Sequence, residues 1–376
     1  MICFEKKSSE NNSVRGMPLM SLVVLFYNQS AYAESTVSSA LAQEYPNCEI
    51  VFSDDCSSDD TLNRILSAVK KYEGPHRVVV NSEKRNLGIG AHVRAVFPLC
   101  NGEWIITQGG DDISTPDRIS VLSSFVSLHK DVSAVGVGAV EINEEGIEIG
   151  ESKTVPDTVI YPCCRNEKMI TCTLTPGALS TICLVTGAMA AYRKDVIELA
   201  PIPEKIVAED VFFTHRAALV GSVAFLPNKC VLQRISSTSI SRAGKGAKSH
   251  VMRCDFRRRI SKMAYLSFDA LYKEMDSYPF AVGEGYREYI ESQKSALLLH
   301  CFDLGSPSSS TMETYLNAFR LALRRYSAWE VLVAAAKRGR GIFCVITFIA
   351  YMLNCVRVML FRCKISLFKH VRLIVV

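Results

Sequence analysis

The sequence lacks the patterns expected of a disulfide-bonded, zinc-binding or secreted protein. It has 14 cysteines in 376 residues, but it contains no Cys-x-x-Cys pair. The cluster of Cys163, Cys164, Cys172 and Cys183 also lacks the usual spacing of zinc ligands. The chain opens with the polar stretch "MICFEKKSSENNS", which does not resemble a signal peptide. We therefore expect a reducing, cytoplasmic compartment in which the cysteines are buried free thiols.

A strong excess of charge is also missing. The 43 Lys and Arg residues stand against 38 Asp and Glu residues, which gives a formal net charge of +5. That excess is too small to indicate a nucleic-acid partner. With 48% hydrophobic residues, a chain of this length can bury a large core, so we expect one large globular domain with additions.

From residue 22 onward, short apolar runs alternate with amphipathic stretches. This alternation predicts an α/β fold in which right-handed βαβ units build a mostly parallel central sheet, Rossmann-like, flanked by helices. The predicted strands are "LVVLFY", "EIVFSDD", "RVVV", "EWIIT" and "SAVGVGAVEI", and the predicted helices include "AYAESTVSSALAQ", "TLNRILSAVKKY", "IGAHVRAVFPL" and "AEDVFFTHRAALVG".

Three predicted strands end in polar clusters: "YNQS", "SDDCSSDD" and "QGGDD". Open α/β sheets bind ligands at the carboxyl ends of their strands, so these clusters indicate one site. In the third cluster, Asp111 and Asp112 are adjacent, and two neighbouring carboxylates resist joint ionisation unless a cation or strong donors lie between them. A helix is expected next, with Ser114 or Thr115 as N-cap and Pro116 in its first turn.

Residues 331–376 combine eight Lys or Arg with no acidic residue around the apolar run "GIFCVITFIAYMLNCV". This run has 16 residues, whereas a bilayer span needs about 20. We expect the segment to contact a membrane surface through its apolar and basic side chains, as a peripheral or shallow anchor at the inner face of the cell membrane. The alternative is a C-terminal helix buried against the main domain.

Several of these pieces, in this order, resemble glycosyltransferase family 2, whose members have the GT-A fold, are inverting and use nucleotide-sugar donors. The resemblance covers about residues 20–242. It is carried by "VVLFYNQSAYAESTVSSALAQEYPNCEIVFSDDCSSDDT", "RNLGIG", "NGEWIITQGGDDISTPDRI" and "AEDVFF".

The resemblance implies how the acidic pair is used. Asp112 matches the usual ligand of Mg²⁺ or Mn²⁺, and Asp111 matches an acid near the metal and the donor's ribose. A divalent cation neutralises the leaving pyrophosphate, and oxygen ligands suit both metals. The family often has a further acid two positions before Asp111, where this chain has Gly109. The alternative is that the two acids only cap the following helix.

The resemblance also assigns residues to the donor. Asp55 matches the carboxylate that accepts a hydrogen bond from a uracil or thymine ring N–H, and Asp54 is its neighbour. Tyr27 matches an aromatic residue that lies against the base, with Asn28 beside it. Arg85 and Arg234 are the expected phosphate contacts, with Gln233 next to Arg234. No Trp follows in "LQRISSTSISR", which favours transfer of a single sugar over polymerisation.

In "AEDVFF", Asp210 matches the base that removes the proton from the acceptor hydroxyl, and Glu209 is a supporting acid. The alternative is that both acids simply stabilise a helix N-terminus. His92 and His215 are expected to be structural. The predicted segments are a polar tail (1–19), a catalytic domain (20–242), a helical extension (243–330) and the membrane-associating segment (331–376).

The residue patterns and the family resemblance together predict the function. We expect transfer of one sugar, from a UDP- or dTDP-sugar, to a hydroxyl of a lipid-linked or surface-polysaccharide acceptor such as lipopolysaccharide. Two alternatives stay open at this point. One is a magnesium-dependent nucleotidyltransferase, although the usual Gly-rich phosphate loop after the first strand is absent. The other is a non-catalytic, membrane-tethered protein on a degenerate transferase scaffold.

Overall fold

The computed structural model describes residues 1–6, 16–152, 157–161, 163, 165, 185–204, 206–236 and 250–302. Within these residues, helices pack on one mixed sheet. The strands are β1 (Ile2–Lys6), β2 (Met20–Phe26), β3 (Cys48–Asp54), β4 (Arg77–Ser82), β5 (Trp104–Gly109), β6 (Ile113–Ser114), β7 (Val132–Ile142), β8 (Glu148–Ser152), β9 (Val159–Tyr161), β10 (Ala190–Arg193) and β11 (Ser222–Arg234). The helices are α1 (Ser30–Leu41), α2 (Thr61–Lys70), α3 (Ile89–Val96), α4 (Arg118–Leu128), α5 (Lys194–Glu198), α6 (Glu209–Val220), α7 (His250–Glu274) and α8 (Glu284–Phe302).

The predicted parallel βαβ series is confirmed in β2 to β5. These strands lie side by side in the order β4-β3-β2-β5 and all pair in parallel. Every residue of β3 and nearly every residue of β2 is buried, because helices cover both faces of the sheet. Unbroken apolar runs are the expected sequence of such strands.

Beyond β5 the sheet changes direction. The short strand β10 pairs antiparallel with both β5 and β7, and β7 pairs in parallel with the long strand β11. The described sheet therefore runs β1-β4-β3-β2-β5-β10-β7-β11-β6, with β8 on β7 and β9 on β11.

Two local expectations are wrong. Residues 1–19 do not form a polar tail throughout, because Ile2–Lys6 make strand β1, which pairs antiparallel with β4. Neither Ser114 nor Thr115 caps a helix. Ser114 lies in β6, which pairs with β11, and α4 begins only at Arg118 with Asp117 as its N-cap residue. Pairing with a distant strand has overridden the local capping signal.

The two faces of the sheet carry separate apolar cores. One core contains α1, α2 and α4. The other contains α3, α5 and α6 and continues without a break into α7 and α8, where Phe268, Leu271, Tyr286 and Ile290 are buried. These two helices thus extend the apolar core on the face of the sheet that holds α6.

Among the described residues, no helix is long and apolar enough to cross a membrane. The predicted membrane-associating segment, residues 331–376, lies outside the described residues. The six cysteines whose side chains are described are free thiols, but only Cys48, Cys100 and Cys230 are buried; Cys56 and Cys163 are half-buried and Cys3 is exposed.

Candidate functional site

The loops that carry the predicted acids meet at one edge of the sheet. Because β2, β3 and β5 are parallel neighbours, their ends at Phe26, Asp54 and Gly109 lie side by side. Strand β10 runs the other way, so it begins at this edge, directly after the 3-10 turn Gly187–Met189. The carboxyl edge of β2, β3 and β5 is therefore the candidate active site.

Asp55 holds the loop that follows β4. Its two carboxylate oxygens accept hydrogen bonds from the backbone N–H groups of Leu87 and Gly88, both at 2.8 Å. Gly88 has a φ of 76° and is the N-cap residue of α3, a conformation that favours glycine. A carboxylate offers about four lone-pair sites, so Asp55 keeps the capacity to accept a further hydrogen bond from a ligand.

The loops after β2 and β3 are tied together by side chains. Asn28 has a φ of 52°; its side-chain oxygen accepts a hydrogen bond from the N–H of Ser58, and its own N–H donates to the hydroxyl of Ser57, both at 2.8 Å. Buried Asp54 accepts a hydrogen bond from the N–H of Ser57 at 3.0 Å. Asn28 and Asp54 thus shape the edge, whereas the Tyr27 side chain beside them is 47% exposed.

The acidic pair forms a cradle over a glycine. A Cβ atom on Gly109 would lie 2.8 Å from Oδ2 of Asp112 and 3.1 Å from Oδ1 of Asp111, so both carboxylates border the same small space. Asp112 is buried, and burial together with the negative charge of Asp111 raises its pKa well above the ordinary value. Burial also raises the pKa of Asp111.

This cradle fits a divalent cation. Carboxylate oxygens are the ligands that Mg²⁺ and Mn²⁺ prefer, and a positive charge would offset the repulsion between the two acids. Any side chain at position 109 would enter the shared space. The described residues contain no group of three or more His, Cys, Asp or Glu placed to hold a metal, so Asp111 and Asp112 would need further ligands from water or from a bound donor.

Arg234 supports the acidic pair. Its backbone N–H donates to Oδ1 of Asp112 at 2.8 Å, and its Nε donates to the backbone oxygen of Asp111 at 3.0 Å. Its Nη1 lies 2.9 and 2.8 Å from the backbone oxygens of Asn143 and Glu144, and its guanidinium lies 4.6 Å from the ring centre of Tyr32. Three main-chain carbonyls therefore share this guanidinium, an arrangement that the sequence did not indicate.

The other predicted phosphate contact, Arg85, is exposed. It lines a cavity of about 620 Å³ together with Met1, Glu83, Lys84 and Leu87. Because the N–H of Leu87 is bound to Asp55, this cavity borders the loop that Asp55 holds.

Asp210 reaches the same edge from α6. Its Oδ1 accepts a hydrogen bond from the N–H of Val211 at 2.8 Å, and its Oδ2 lies 3.4 Å from the N–H of Gly187. The backbone oxygen of Gly187 in turn accepts a hydrogen bond from the hydroxyl of Thr107 in β5. Burial and the neighbouring Asp210 raise the pKa of Glu209 to about 8. The two acids of "AEDVFF" therefore adjoin the turn that starts β10.

Sequence reasoning missed Arg118, which is fully buried. Its Nη2 donates to the backbone oxygens of Thr107 and Ala188 at 2.9 and 3.1 Å, and its Nη1 donates to the hydroxyl of Ser114 at 3.0 Å. Arg118 thus joins β5, β6 and the turn that contacts Asp210. In the sequence it looks like any charged residue in the first turn of a helix, and only the tertiary fold gives it this role.

The two histidines that we expect to be structural are both buried and hydrogen-bonded within the fold. His92 is buried with its Nε2 2.7 Å from the hydroxyl of Ser53. His215 is buried with its Nδ1 3.1 Å from the hydroxyl of Tyr286, and burial lowers its pKa to about 3.

Known proteins are similar to this region in sequence, and a solved structure is similar to it in fold. Over 130 residues the chain is 28% identical to the putative glycosyltransferase EpsE of Bacillus subtilis, a match that covers 35% of this chain and 46% of EpsE. Over 166 residues it is 32% identical to chondroitin synthase of Escherichia coli, which covers 44% of this chain and 23% of that protein. The chain thus spans less than half the length of both relatives.

A solved structure of S. aureus TarS, residues 1–349 in complex with UDP-GlcNAc, superposes with a TM-score of 0.56 at 17% identity. The superposition covers 87% of this chain and 89% of that one. This likeness shows that the mixed sheet and its flanking helices form the GT-A fold. Residues 21–199 match the model of the family described as "Glycosyl transferase family 2", so this region of the chain is similar to glycosyl transferase family 2.

Proposed function

We propose that the chain transfers a single sugar, with inversion, from a nucleotide-diphosphate sugar to a hydroxyl of a glycan or lipid-linked acceptor. The observation that carries this proposal is the cradle over Gly109, where Asp111 and Asp112 converge at the same sheet edge that Asp210 reaches through Gly187. Adjacent acids whose pKa values are both raised are typical of functional sites.

The donor would lie along this edge. We assign its pyrimidine base, from a UDP- or dTDP-sugar, to Asp55 and the exposed ring of Tyr27, with Asn28 and Asp54 holding the loops around it. Arg85 lines the cavity that borders the Asp55-bound loop and would contact a phosphate. Mg²⁺ or Mn²⁺ held by Asp111 and Asp112 would neutralise the charge that develops on the departing diphosphate.

Arg234 is given a different part in this proposal. The sequence suggested a phosphate contact, but the guanidinium is engaged with main-chain carbonyls beside the acidic pair. We therefore propose that Arg234 serves the donor indirectly, by fixing Asp111 and Asp112 in the cradle.

Asp210 would act as the base. The acceptor hydroxyl attacks the anomeric carbon, its proton passes to the Asp210 carboxylate, and the bond between the anomeric carbon and the diphosphate oxygen breaks on the opposite face. The N–H groups of Val211 and Gly187 orient this carboxylate. Burial and the charge of Asp210 raise the pKa of Glu209 to about 8, which favours the neutral form of Glu209 beside the proposed base.

The proposed acceptor is based on the name of a protein that is similar in sequence to this chain. One relative is named as a chondroitin synthase, which supports a polysaccharide acceptor. The basic, apolar segment 331–376 would bring the catalytic domain to that acceptor at the inner face of the cell membrane.

Two variants test the assignment. Asp210→Asn should retain donor binding and lose transfer, because only the proton acceptor is removed, whereas Asp112→Ala should weaken both. The matched control is Asp276→Asn, whose side chain is 82% exposed and paired with Arg287, and which should leave both unchanged.

Donor binding is read by thermal shift with UDP-, dTDP- and GDP-sugars, with and without Mn²⁺. A ligand at 100 times its dissociation constant adds about 2.7 kcal/mol to the free energy of unfolding. Transfer by Asp210→Asn at the parent rate would show that the base is another residue. A shift with GDP-sugars alone would contradict the role given to Asp55.

A further inference from the structure

The loop that leads into α6 provides no side-chain cap for the start of this helix. Ala208 is the N-cap residue of α6, and its own side chain supplies no capping hydrogen bond. Helix N-termini leave N–H groups without intrahelical partners, and alanine has no oxygen with which to satisfy them. The segment that precedes Asp210 therefore depends on contacts from elsewhere in the fold.

Helix α7 supplies that contact through Ser267. The Ser267 hydroxyl donates to the backbone oxygen of Ala208 at 2.9 Å, and the N–H of Ala208 donates back to the same hydroxyl at 3.1 Å. Ser267 is fully buried. One hydroxyl thus serves both main-chain polar groups of the residue that begins the helix of Glu209 and Asp210.

Helix α3 also contacts this loop. A Cβ atom on Gly90 would lie 1.8 Å from the backbone oxygen of Ile206, so α3 approaches the loop as closely as a glycine allows. Gly90 lies two residues after Gly88, whose N–H is bound to Asp55. The loop 206–208 therefore contacts α3 at Ile206 and Ser267 at Ala208.

We propose that Ser267 is the positioning residue for Asp210, and that it sets the distance and angle at which the Asp210 carboxylate meets the acceptor hydroxyl. This inference rests on the proposed function. Ser267 lies outside the family-matched residues 21–199, so the helices that follow the matched region complete the catalytic machinery.

The test compares Ser267→Ala with Ser133→Ala. Ser133 is a matched control because it is also fully buried and also binds the backbone of α6, but at the other end. Its hydroxyl lies 2.8 Å from the backbone oxygen of Ala217 and 3.0 Å from that of Ser222. Both substitutions remove a buried hydroxyl that contacts two main-chain groups.

The expected result for Ser267→Ala is a fall in kcat of roughly 10- to 100-fold, the effect of a small displacement of a reacting group. The donor KM should stay within about twofold of the parent value, because the donor-binding loops are not touched. Ser133→Ala should change the melting temperature similarly while leaving kcat nearly unchanged. If Ser267→Ala keeps the parent kcat, or if both variants lose kcat together, the positioning role is refuted.

Hydrogen–deuterium exchange provides a readout that needs no turnover. Ser267→Ala should speed exchange in peptides that cover residues 208–212, and Ser133→Ala should speed it near residues 217–222 instead. Equal protection of residues 208–212 in the parent and in Ser267→Ala would also refute the proposal. A parent protein that transfers no sugar from any donor would overturn the proposed function, and the exchange data would still decide whether Ser267 holds this loop.

Discussion

Replacing Glu209 with Gln should stabilise the protein at neutral pH, in spite of the location of Glu209 in the candidate site. Burial and the charge of Asp210 raise its pKa from the ordinary 4.5 to about 8. The folded protein therefore holds a proton that the unfolded chain releases, so this group's contribution to stability falls as the pH rises from about 4.5 to 8. Glutamine does not ionise, so the variant does not lose this stability as the pH rises.

The size of the effect follows from the difference between the pKa values of Glu209 in the unfolded and folded protein. At pH 7 this difference lowers the free energy of unfolding by about 3 kcal/mol. This is an upper bound, because the Glu209 side chain is partly exposed and solvent screens part of the charge. We therefore expect a gain of about 1–2 kcal/mol for Glu209→Gln at pH 7.

The assay is urea unfolding of the parent and of Glu209→Gln between pH 4.5 and 8.5. The difference between them should be near zero at the acidic end and should grow as the pH rises. Glu73→Gln, at an exposed position, is the control and should stay within about 0.5 kcal/mol of the parent at every pH. A gain that is the same at pH 4.5 and at pH 8.5, or no gain at all, would refute the reasoning from burial.

Two further substitutions test the supports of the site. Arg234→Lys should lower the free energy of unfolding by about 1–3 kcal/mol, because one ammonium group cannot reach the three carbonyls that the guanidinium contacts. A variant with unchanged unfolding by urea but weaker donor binding would instead favour the direct phosphate contact. Gly88→Ala should cost roughly 1–2 kcal/mol, because the φ of 76° is strained for alanine. Gly150→Ala is its control, since Gly150 has an ordinary φ and open space around its Cβ position, and equal stability of these two variants would contradict the strain at Gly88.

Much of the fold was predictable because local patterns and tertiary structure agree. The apolar runs of β2, β3 and β5 end in polar residues, and those strands lie side by side with their polar ends together. The acids Asp55, Asp111, Asp112 and Asp210 were found from sequence motifs, and the structure places them all along the carboxyl edge. Their roles in catalysis remain predictions.

The rest depends on contacts between distant residues. Strand β1 was missed because its alternation spans only five residues, and the cap expected at Ser114 or Thr115 gave way to pairing of β6 with β11. Arg118 and Ser267 look ordinary in the sequence. Each of them contacts main-chain groups from distant parts of the chain, and no local sequence pattern predicts such contacts.

Strand β10 has a consequence for how the chain can be divided. Four residues supply the pairing between β5 and β7, and they follow Trp104 by more than 80 positions. A fragment that stops before Ala190 would leave β5 and β7 with open edges in the middle of an apolar sheet, and open edges of that kind pair with other chains. Newly made protein therefore exposes both edges until β10 has been synthesised, and we expect shortened forms that lack β10 to aggregate.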